Sequence, residues 1–126
     1  MLHKIIIQTI GVLFLLGGIV HWLIIFGVIK EATPVLITIY FHSLAIFSPL
    51  AGIGLCFIKE WGRKLGLLIA LTQLPAHGYM LYLDSYANWN SGVAPWERGL
   101  DMAFAIFYLI YFQFSAIKTR FKARMD

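Results

Sequence analysis

Apolar runs long enough to cross a bilayer fill most of this chain and leave few alternatives for its fold. They cover residues 5–29, 34–58, 64–83 and 99–117. A helix that crosses hydrocarbon needs about 20 mostly apolar residues, and it satisfies every backbone N–H and C=O within its own segment. Composition agrees: the 126 residues are 60% hydrophobic, with a mean hydropathy of +0.80. Soluble domains hold about 45–50% apolar residues and need the remainder to cover their surface. The expected fold is all-α: one domain, residues 1–126, built as an integral-membrane four-helix transmembrane bundle.

The first run begins beside a charge, as a signal peptide does. It is nevertheless longer than the roughly 7–15 apolar residues of a signal peptide, and no small-residue cleavage site follows it. It reads as a retained helix. The breaks between runs carry their own signals. "KEATP" combines charge with a proline suited to a helix start. "KEWGRK" is a short charged turn, and "DSYANWNSGVAPWERG" is a longer polar and aromatic loop rich in turn formers.

The formal charge of +4 argues against nucleic acid once its placement is considered, because the cations sit at the ends of apolar runs. Lys4, Lys59, Arg63, Lys64, Lys118, Arg120, Lys122 and Arg124 share one side of a four-span arrangement, against Lys30 and Arg98 on the other. Positive residues stay inside, so both termini are expected in the cytoplasm, in a bacterial or archaeal cytoplasmic membrane. Glu31, Asp84, Glu97 and Asp101 then gather outside. Trp89, Trp96, Tyr82 and Tyr86 form an interfacial aromatic belt there. The C-terminal "KTRFKARMD" reads as an anchor at anionic lipid. Cys56 is the single cysteine and excludes an intramolecular disulfide.

Polar residues inside spans carry the functional signal, since ionisable groups in hydrocarbon are functional candidates. His21, His42 and His77 each lie about seven or eight residues below the outer end of their run, which is roughly 10–12 Å at 1.5 Å per residue. In the third run Gly66, Ala70, Gln73, His77, Met80 and Asp84 follow the spacing of one helical face. The step from Gly62 to Gly66 is the small-residue spacing that lets membrane helices approach. Thr38, His42, Ala45, Pro49 and Cys56 share a face of the second run. In the fourth, Asp101, Ala105, Tyr108, Phe112 and Ser115 do the same. His3 lies outside the hydrocarbon and does not join the others. Pro49 and Pro75 are expected to kink their helices and free backbone carbonyls.

Three imidazoles and the Asp101 carboxylate could hold zinc, copper or iron, with Gln73, Asp84 and Tyr79 orienting the ligands or carrying protons. Two histidines could instead clasp a b-type haem. The working expectation is a metal or haem site near the outer leaflet, in a subunit of a larger membrane redox or oxygenase-type complex. Two alternatives stand beside it. The chain could be a cofactor-free accessory subunit, alone or as a homo-oligomer, in which histidines merely bond across helices. It could also bind or transport a quinone or lipid, with Gln73, Tyr79 and the histidines at the head group. The residues assign no catalytic group, and no tight motif such as H-E-x-x-H is present.

Overall fold

The computed structural model describes residues 1–27, 34–86 and 95–122, and over them the chain is helical apart from short turns. The helices are α1 (Leu2–Gly27), α2 (Val35–Cys56), α3 (Glu60–Tyr86), α4 (Pro95–Tyr111) and α5 (Ser115–Lys122). α1, α2 and α3 lie along the first three apolar runs, and α4 with α5 covers the fourth. α1 and α2 are long and apolar enough to cross a membrane, and α4 with α5 would be a third such element if taken as one broken span. α3 has 27 residues, but Gln73, Pro75 and His77 dilute its apolar content.

The long helices pack in chain order, α1 on α2, α2 on α3 and α3 on α4. Side chains then close the ring. Phe14 of α1 meets Phe104 and Tyr108 of α4, at 6.4 and 5.4 Å between ring centroids, and His3 Nδ1 lies 3.0 Å from the Tyr111 hydroxyl. His3, set aside in the sequence reading, therefore ties α1 to α4. The core between the helices holds Ile7, Leu55, Tyr108, Phe112 and Phe121, all essentially inaccessible.

Glycine sets how closely the helices approach. A Cβ at Gly62 would land on the backbone of Gly54, and one at Gly66 on the Tyr108 ring and hydroxyl. The spacing noted in "GRKLG" is thus a packing device with a partner on each side: α2 at one step, α4 at the next. α2 and α3 run through Pro49 and Pro75 without ending, and the Pro49 ring occupies the space over Gly18.

The turn from α2 to α3 has an unusual occupant. Ile58 N–H bonds Leu55 O at 2.9 Å and Lys59 N–H bonds Gly54 O at 2.7 Å. This paired pattern closes a helix through one left-handed residue. Glycine usually fills that position, but here it is Ile58, at φ 52°. A β-branched side chain resists this conformation. Its compensation is packing, because Ile58 is buried in the core cluster at this end.

The fourth run departs from expectation. A single helix over 99–117 was expected, but α4 stops at Tyr111 and the chain turns by 73° into α5. Gln113 and Phe114 make tight bonds to Ile110 and Tyr111 across the turn. The Phe112 carbonyl accepts instead from Arg63 Nη1, at 3.1 Å. Arg63 is held in turn by Glu60, through Nε to Oε2 at 2.8 Å and a second bond from Nη2 to Oε1. An arginine 49 residues away in sequence thus supplies the donor at the bend, a partner that local sequence pattern does not reveal.

Candidate functional site

At the end of the bundle away from Lys59, Lys64, Lys118 and Lys122, the antiparallel register of α3 and α4 brings together charges that belong to different loops in the sequence. His77 Nε2 lies 3.8 Å from Asp101 Oδ2. One turn further along α3, Arg98 Nη1 contacts Met80 Sδ at 3.1 Å, and Arg98 Nε stands 3.4 Å from Asp84 Oδ2. Arg98 is 3% exposed and His77 8%, whereas the Asp101 side chain is 58% exposed. The helices therefore bury the two nitrogen bases and leave Asp101 at the rim.

Tyr40 from α2 completes this group, edge-on to His77 with ring centroids 6.3 Å apart. The fields of Asp101 and Arg98 both reach Tyr40 and His77, and that of Asp101 also reaches His21. Tyr40 Oη, His77 Nδ1 and Arg98 Nε are buried and have no hydrogen-bond partner among the described residues. The Arg98–Asp84 contact is an ion pair without hydrogen-bond geometry. Such groups are rare in folded proteins, since each costs about 1–3 kcal/mol. Here they fall on three neighbouring helices, α2, α3 and α4.

The predicted ligands separate in the structure. His77 and Asp101 come together, and His21 is half-buried nearby with its ring 5.9 Å from Phe41. His42 is exposed, about 140° around α2 from the buried Ile37 at 100° per residue. His21 and His42 each hold Nδ1 against the carbonyl four residues earlier, Gly17 at 2.6 Å and Thr38 at 2.7 Å. A carbonyl only accepts, so both rings carry their proton on Nδ1. Among the described residues no three His, Cys, Asp or Glu side chains are grouped as a metal ion requires. Gln73 is half-buried and Tyr79 faces outward, while Asp84 joins the site through Arg98.

Arg98 and Tyr40 are the members that sequence reasoning missed. Arg98 carried a visible signal: it lies on the side where basic residues are scarce, three positions before Asp101 on one helical face. Tyr40 carried none, because an aromatic in an apolar run has many ordinary explanations.

Tyr40 also lines a second feature. A cavity of about 230 Å³ opens between α2 and α3, walled by Leu44, Phe47, Leu65, Leu68 and Ile69. Ser43 and Thr72 border it, but their hydroxyls bond the carbonyls of Ile39 and Ile69, both at 2.8 Å. The groove is therefore hydrocarbon-like along its length, with the Tyr40 ring at one end.

An all-helical protein with two helices suited to cross a membrane, carrying a buried polar cluster beside an apolar groove, is the class that these observations define. The chain belongs to DUF6163, a family of unknown function whose profile matches residues 1–120. No curated protein and no solved structure matches the chain.

Proposed function

We propose that this chain is an integral-membrane protein whose four long helices span the bilayer with both termini in the cytoplasm, and that it binds a lipid-soluble molecule with a polar head. The head would meet Tyr40, His77 and Arg98, and the hydrocarbon tail would lie in the groove between α2 and α3. One observation carries this reading: Tyr40 borders the apolar groove and also belongs to a set of buried polar groups that lack protein partners among the described residues. Ligand sites are typically apolar with a few placed polar groups. A quinone, with carbonyls to accept and a long tail, has the required chemistry. The arrangement favours this over the metal or haem reading, because the groove walls contain no histidine and His42 is exposed.

The test is mass spectrometry of the organic extract of detergent-purified protein, joined to thermal unfolding and titration with a short-tailed benzoquinone. A lipophile retained near one per chain is expected. Tyr40→Phe, His77→Ala and Leu68→Trp should each lose it, while His42→Ala should not. If the site holds no ligand, Tyr40→Phe removes only an unsatisfied hydroxyl, and the variant should melt higher by the equivalent of about 1 kcal/mol. A higher melting point with no lost lipophile would overturn the proposal. So would stoichiometric metal that requires His42.

A further inference from the structure

We propose that α5 is an interfacial helix which, together with the turn between α2 and α3, forms a seat for the head group of an anionic phospholipid. The 73° bend lays α5 across the end of the bundle instead of along it. Ile117 and Phe121 anchor it from below, 1% and 0% exposed, with Phe121 5.9 Å from the Phe112 ring. The flanks of α5 around this stripe are basic: Arg120 and Lys122 are exposed and Lys118 is half-buried. Lys59 and Lys64, at the start of α3, are exposed as well.

Two of these cations meet at one carboxylate. The charges of Lys64 and Lys122 both reach Glu60, so the end of α5 lies beside the start of α3. Segments 59–64 and 115–122 together hold six basic residues and one carboxylate, that of Glu60. Both Glu60 oxygens are already bonded to Arg63, so the outward-facing lysines and Arg120 keep their charge for another partner.

The surroundings select a lipid over a soluble anion. Phe57, Trp61 and Phe114 project from the same end, at 64, 49 and 58% exposure. Exposed aromatics at the end of apolar helices belong at the level of lipid head groups. A phosphate there would be met by several ammonium groups while its acyl chains ran down the bundle wall. This inference rests on the membrane reading but not on the ligand assigned to the Tyr40 end.

The experiment reconstitutes the full chain in nanodiscs of phosphatidylcholine, with or without phosphatidylglycerol. Boundary-lipid selectivity is then measured with spin-labelled forms of both lipids. The wild type should prefer phosphatidylglycerol, and raising salt from about 0.1 to 1 M should erase most of that preference, as the screening length falls from about 10 to about 3 Å. The triple variant Lys64→Gln, Arg120→Gln and Lys122→Gln should reduce it, by at most about fivefold per charge removed. Exchanging the same three residues between lysine and arginine should restore it, which separates charge from any change in fold. Equal affinity for both lipids, or a preference unchanged in the glutamine variant, would overturn the proposal. Competition by millimolar inorganic phosphate alone would also overturn it, by showing a site for a free anion.

Discussion

Gly62→Ala is expected to be the most damaging single-methyl change in this protein. The new Cβ would fall on the Cα and carbonyl carbon of Gly54, so no side chain can rotate to make room. α2 and α3 would have to separate at the point where Ile58 holds the turn in a strained conformation. Overpacking costs typically about 1–3 kcal/mol, and a contact between two backbones belongs at the upper end of that range. Gly78→Ala is the matched control on the same helix. Nothing lies within 4 Å of its added methyl, and alanine is the better helix former by about 0.8–1.0 kcal/mol. Thermal unfolding in one detergent should therefore show Gly62→Ala well below wild type and Gly78→Ala at or slightly above it. Similar behaviour of the two would mean that the helices do not pack at Gly54–Gly62.

Arg63→Met should produce the second large loss. It strips Glu60 of its partner and leaves the Phe112 carbonyl without its donor, both at buried positions. Breaking a buried ion pair costs about 3–5 kcal/mol, and the lower figure suits a pair at the end of the bundle. The bend into α5 should loosen as well, seen as faster hydrogen exchange around residues 112–117. The same pair predicts a pH dependence. The bonds from Arg63 hold the Glu60 carboxyl below its ordinary value of 4.5. Its stabilising contribution is thus complete above the ordinary carboxylate range and lost as pH falls through the lowered value. Glu60→Gln should flatten the acid limb of the stability profile and leave the neutral region lower. An acid limb as steep in Glu60→Gln as in wild type would assign that transition to other carboxylates.

Both predictions concern features that the sequence showed only in outline. The small-residue spacing from Gly62 to Gly66 was visible, but its partners were not, because Gly54 and Tyr108 reach it from two different helices. The histidine layer shows the reverse case. Equal depth was readable from helix rise, yet depth says nothing about rotation. His42 shares a helical face with Ala45 and Pro49, but it lies at the edge of that face and ends exposed. His77 and Asp101 do come within 3.8 Å of each other, across the antiparallel pair α3 and α4. Arg98, counted only as an exception to the charge bias, is among the most buried residues in the chain.

The helical class, the four long segments and the segregation of cations to one end follow from local pattern. Hydrophobicity over about 20 residues decides whether a segment can live in hydrocarbon, and that property needs no neighbours. The break after Tyr111, the burial of Arg98 and the grouping of Tyr40 with His77 depend on which faces meet. Those choices are made by backbone contact at a few glycines and by single long-range bonds such as Arg63 to Phe112. Apolar faces that meet lipid and apolar faces that meet protein look alike in sequence, so the polar site became legible only when the helices were placed against one another.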